Sequence, residues 1–156
     1  ELLEPAQART RLGVDCHDER PLIVVLGSGR ESEMAEIARW ALRLTEALGT
    51  SAIVHSMSLD QIDVQWPAME LLPGASVVVG AGGYNTVNAA RATGTPLVAV
   101  ARPRLYDRQV LRLSNDERVE HARLVEAVLG AIERGRMPGC DYKNGTHAAV
   151  AAISGL

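Results

Sequence analysis

The run from Val77 to Val100 constrains the fold more than any other stretch. Val77-Val78-Val79 is apolar, β-branched and too short for a helix, the pattern of a strand buried on both faces in a parallel sheet. Gly80-Ala81-Gly82-Gly83 follows it and leads into a helix, which Gly94 stops where a left-handed cap is wanted. Pro96 forbids continuation, and a second apolar run, Leu97 to Val100, begins at once. The segment predicts one βαβ unit whose glycine turn presents backbone N–H groups at a helix N-terminus, a natural site for an anion.

The other elements fit around that unit. A short helix is expected to end near Gly13, and Leu22 to Leu26 reads as a buried strand followed by the turn Gly27-Ser28-Gly29. Met34, Ile37, Ala38, Ala41, Leu44 and Leu48 recur at helical spacing until Gly49; Ser28 with Glu31 has capping-box spacing, and Ser32 is an equally good N-cap. Ser51 to His55 predicts a second strand, 63–67 an extended piece broken at Pro67, and Ala68 to Leu72 a single helical turn. Helices are expected from about Arg108 to Leu113, around Ala122 to Ile132 with Gly135 as the stop, and from Thr146 to Ile153. Strands alternating with helices predict a Rossmann-like α/β fold, a parallel sheet with helices on both faces and ligands at the carboxyl ends of its strands.

At 156 residues and 47% hydrophobic content, a single domain is expected. A net charge of −3 argues against a nucleic-acid surface, and no apolar run approaches the roughly 20 residues of a membrane span. Cys16 and Cys140 lack Cys-x-x-Cys spacing and no signal peptide precedes them, which fits a reducing cytoplasm. The chain opens at Glu1 without an initiator methionine, so it is expected to be cut from something longer or to have lost a leader.

Several familiar chemistries find incomplete support. Gly27-x-Gly29 continues with Ser32 where a dinucleotide fingerprint has its third glycine, and His55 stands where an acidic residue would end the second strand. There is no Walker pattern and no Gly-x-Ser-x-Gly elbow. His17, His55, His121 and His147 are scattered without metal-ligand spacing, so no metal is expected. Arg91, Arg108, Arg112, Arg118, Arg123 and Arg134 read as solvated helix-face charges. Arg102-Pro103-Arg104-Leu105-Tyr106 suits a phosphate, a glycan or a solvated loop equally.

The segment from Leu71 to Val87, with Gly80-Ala81-Gly82-Gly83-Tyr84-Asn85-Thr86-Val87 at its centre, Gly94-Thr95-Pro96 and Asp107-Arg108-Gln109, resembles the donor-binding half of GT-B glycosyltransferases. The similarity is greatest to the group around the bacterial UDP-N-acetylglucosamine transferase of peptidoglycan lipid assembly and related uncharacterised transferases. The resemblance is specific over 71–109 and looser elsewhere, where Ala8 to Gly13 and Arg20-Pro21 look like the approach to that half. It implies that Gly82, Gly83, Tyr84, Asn85 and Thr86 bind the nucleotide diphosphate, with Gly27, Ser28 and Gly29 lining the cleft opposite. Trp66 and Met69 fall in the stretch that holds the base, and Asp107 and Gln109 where the donor sugar is contacted. The donor is then a nucleotide-diphosphate sugar, UDP-linked, with no further cofactor.

One departure bears on affinity. Three residues beyond Thr86 such enzymes usually place a glutamate on the ribose hydroxyls, and this chain has Ala89. The acceptor site and the general base belong to an N-terminal half, so the expected partner is that half, as a domain or a subunit, and any membrane association at the inner face would come through it. No catalytic residue is assigned within these residues. Two other readings stay open: a non-catalytic interaction module with a lost nucleotide site, and a fragment of a nucleotide-sugar epimerase.

Overall fold

A computed structural model describes residues 2–27, 31–57, 67–103, 105–139 and 145–154. Among these residues four strands, β1 (Leu22–Leu26), β2 (Ile53–Met57), β3 (Val77–Gly80) and β4 (Leu97–Ala99), form one sheet in the order β2-β1-β3-β4. Every pairing is parallel, with Ile23 opposite Val77 and Val79 opposite Val98. The helices are α1 (Pro5–Arg11), α2 (Glu31–Leu48), α3 (Ala68–Leu71), α4 (Tyr84–Thr93), α5 (Gln109–Arg112), α6 (Leu124–Arg134) and α7 (Gly145–Ser154). This is the expected Rossmann-like α/β arrangement.

The period-2 alternation of the strands divides the core in two. Ile23, Val25, Val77, Val79 and Val98 face α2 and α6, meeting Ile37, Trp40, Leu44, Leu124 and Val128. Leu22, Val24, Val78, Leu97 and Ala99 face the other way, onto Leu12, Leu71, Leu72, Val87 and Ala90. Because both faces are covered, the strands read as continuous apolar runs rather than alternating ones.

The glycines predicted to stop helices do so. Gly13, Gly49, Gly94 and Gly135 all have positive φ. At Gly94 (φ +65) the requirement is doubled, since an added Cβ would also lie 2.0 Å from the Met137 carbonyl oxygen. Arg136, beside that contact, donates to the carbonyls of Thr93 (2.9 Å), Leu72 (2.8 Å), Ala75 (3.1 Å) and Pro73. One guanidinium thus ties the end of α4 to the turn before β3, and burial pushes its pKa down.

Two details differ from the sequence reading. The second strand starts two residues later than expected, because Gly49–Ser51 forms a 3-10 turn in which the Ser51 hydroxyl donates to the Leu48 carbonyl (2.5 Å). The outer edge of β4 is met by a polar segment that pattern reading leaves as loop: the Ala99 N–H donates to Glu117 O (2.7 Å) and the Val119 N–H to Ala99 O (3.0 Å). The extended piece expected over 63–67 lies, apart from Pro67, outside the described residues.

Candidate functional site

Since β1 and β3 are adjacent and parallel, the chain leaves both at the same edge of the sheet. The connections from β1 run to β2 on one side and β3 lies on the other, so a crevice is expected at that reversal of strand order. Of the first turn, Gly27 is half-buried and its N–H donates to Met57 O (2.6 Å); Ser28 and Gly29 lie outside the described residues, as does Trp66. Met69 is exposed on α3, which packs against α1 and α4.

The three glycines of the second turn are there for different reasons. A Cβ on Gly80 would press on Thr86 Cγ2 at 3.2 Å. A Cβ on Gly82 would come to 2.8 Å from Leu113 Cδ1 and 3.2 Å from Gln109 Cβ, so this glycine lets the turn close against α5. Gly83 has neither constraint: its φ of −68 and ψ of 154 suit any residue, and an added Cβ would meet nothing within 4 Å among the described residues. It is the N-cap of the ten-residue α4, and no side chain caps that helix. Tyr84 and Asn85 beside it are exposed and Thr86 is half-buried.

Asp107, Gln109 and Arg112 brace this turn. Arg112 donates to Gly82 O (3.0 Å) and to Asp107 Oδ1 (2.8 Å), and its guanidinium lies 5.7 Å from the centroid of the Tyr84 ring. Gln109 is only 2% exposed; its Nε2 donates to Asp107 Oδ2 (3.0 Å) and its Oε1 accepts the Arg102 N–H (2.9 Å). The pair named for the donor sugar therefore organises α5 and the loop ahead of it. Arg91 also departs from the solvated role expected of it, pairing with Glu117 (2.8 Å) and donating to Arg112 O (2.8 Å). Burial alone would raise the Glu117 pKa, but hydrogen bonds from Arg91 and the Ser114 N–H, with the Arg91 charge, outweigh it and hold that carboxyl below its ordinary value.

A second polar cluster joins α2 to the segment after β4. Arg102 is paired with Glu33 (3.0 Å) and Glu36 (2.5 Å), with its guanidinium 5.5 Å from the Trp40 ring centroid. Its side chain is 13% exposed, so of the roles open to it from sequence, the solvated one does not apply. The Trp40 indole N–H donates to His121 Nδ1 (3.0 Å), while His121 Nε2 lies 2.7 Å from Glu36 Oε1. Indole can only donate, so His121 accepts at Nδ1 and carries its proton on Nε2. Arg43 adds bonds to the carbonyls of His121 (2.6 Å) and Ala122 (2.8 Å).

One grouping was not anticipated from spacing. Asp15, Cys16 and His17, consecutive and exposed, hold ligand-type atoms within 4.8 Å of one another. His55 lies half-buried on β2, where burial pushes its pKa down. Among the described residues no helix is long and apolar enough to cross a membrane.

No protein-family model matches the chain, and no curated protein matches it.

Proposed function

We propose that these residues form the donor-binding domain of a glycosyltransferase, holding a UDP-linked sugar that is transferred only with an acceptor-binding half. The observation that carries this reading is Gly83. Neither backbone conformation nor packing among the described residues calls for glycine there. Close approach of a ligand to the backbone does call for it. The N–H groups at the start of α4, with about half a positive charge from the helix dipole, suit diphosphate oxygens. Arg112 lies beside the same turn, and the Thr86 hydroxyl belongs to its first helical turn.

The chemical role follows from that placement. As the glycosidic C–O bond breaks, negative charge grows on the departing diphosphate, and fixed N–H donors stabilise it without reorganising. The attacking hydroxyl and the base that accepts its proton come from the other half. Ala89, half-buried against the core, offers the ribose no hydrogen bond.

Calorimetric titration with UDP and GDP tests the reading. Both should bind weakly and with little discrimination, and Ala89→Glu should tighten UDP about tenfold, the roughly 1.4 kcal/mol of one added charge-assisted bond. If neither variant binds UDP or GDP at millimolar concentration, the donor-site reading fails. The interaction-module reading then takes its place, favoured by the exposure of Leu105 (85%) and Tyr106 (92%) on the loop after β4 and of Leu111 (75%) on α5.

A further inference from the structure

Beyond the end of β4 lies a cleft of about 630 Å³, within the size range of small-molecule sites, roughly 300–1,000 Å³. Val100, Pro103, Val110 and Val119 give it apolar surface. Its polar groups are Glu36, Arg102, Arg118, Glu120 and His121.

The charges of this cleft are already balanced. Arg102 is paired with two carboxylates, and His121 has both ring nitrogens engaged. That leaves Arg118 and Glu120, exposed and opposite in sign, with the Glu120 carboxylate in electrostatic reach of Arg123 as well. A phosphate gains little in such a place, whereas the amide-rich mouth of α4 favours one. A neutral ligand with several hydroxyls fits better: each hydroxyl can accept from a guanidinium and donate to a carboxylate, while its C–H face rests on valine and proline. The two places are joined through α5. Gln109 packs on Gly82, and its neighbour Val110 lines the cleft.

We propose that this cleft seats the sugar of the nucleotide sugar, with Arg118 and Glu120 as its polar contacts. The proposal rests on the donor-site reading and moves sugar recognition from Gln109, whose amide is buried and engaged, to the far side of α5.

The test compares UDP with UDP-glucose, UDP-galactose and UDP-N-acetylglucosamine by calorimetry, with circular dichroism to confirm folding. Wild type should bind at least one UDP-hexose about tenfold more tightly than UDP, the effect of one or two net hydrogen bonds. Val110→Trp, which fills the cleft from a partly exposed position, should erase that difference while leaving UDP affinity within about twofold. The exposed pair Arg118→Ala with Glu120→Gln should do the same without any change of volume in the apolar wall. If UDP binds but no hexose adds affinity, or the added affinity survives both variants, the cleft does not hold the sugar and the donor site stands. If UDP itself does not bind, both readings fall.

Discussion

Gly82 and Gly83 are adjacent, yet valine at each should do opposite things. At Gly83 the backbone is already extended (φ −68, ψ 154) and the space around a Cβ is open among the described residues, so valine meets no clash with them. Restricting the unfolded chain gains about 0.4–1 kcal/mol, and losing glycine as N-cap costs a similar amount, so stability should change by less than about 0.5 kcal/mol. At Gly82 the Cβ would stand 2.8 Å from Leu113 Cδ1 and 3.2 Å from Gln109 Cβ. Leu113 can turn its tip away. Gln109 cannot, because its amide is held at both ends. Overpacking there should cost about 1–3 kcal/mol. In urea, with a slope of about 1–3 kcal/mol/M, Gly82→Val should lower the midpoint clearly while Gly83→Val leaves it nearly unmoved. UDP binding should respond the other way round for the stable variant, with Gly83→Val losing about tenfold or more because its methyl groups occupy the phosphate approach. A Gly83→Val protein that is destabilised by more than about 1 kcal/mol, or that is stable and binds UDP like wild type, would refute the argument.

Two further expectations concern the ties around α4. Arg136→Ala should cost about 2–4 kcal/mol in chemical denaturation, less than four separate charge-assisted bonds because the Leu72 carbonyl keeps the Thr95 hydroxyl (2.9 Å); a loss below about 1 kcal/mol would mean the clasp contributes little. Glu117 has a folded pKa below its unfolded one, so its contribution is fully present above the unfolded value and is lost as pH falls through the folded one. The Tm gap between wild type and Glu117→Gln should therefore be constant near neutrality and shrink below about pH 4, and a gap independent of pH down to acid unfolding would remove the Arg91–Glu117 pair from the account.

What could be read from the sequence was what leaves a local or periodic mark. The apolar runs at 22–26, 77–79 and 97–100, the helical spacing from Met34 to Leu48, and the glycine stops all depend on neighbours a few residues away. The polar wiring does not. Arg102 finds Glu33 and Glu36, Arg136 finds Leu72 to Ala75, and His121 finds Trp40 across more than sixty residues of chain, so no spacing rule could pair them. The same limit applies to Gln109, whose match to a sugar-contact position was visible but whose burial was not. Asp15-Cys16-His17 is the reverse case, a contiguous signal that rules built on longer ligand spacings do not register.

The register of the sheet also bears on the order in which it assembles. Pairing Val78 with Leu97 closes a shorter loop than pairing Leu22 with Ile53, and a much shorter one than pairing Ile23 with Val77. Loop-closure entropy therefore favours β3-α4-β4 as the earliest native-like unit, and joining it to β1 is the slow, non-local step. On that account Leu97→Ala should chiefly slow folding and Ile53→Val chiefly speed unfolding in stopped-flow measurements; the opposite pattern would place the nucleus elsewhere. The glycine turn is then carried into the molecule on its first-formed piece. Its shape is in place before β1 arrives to complete the crevice.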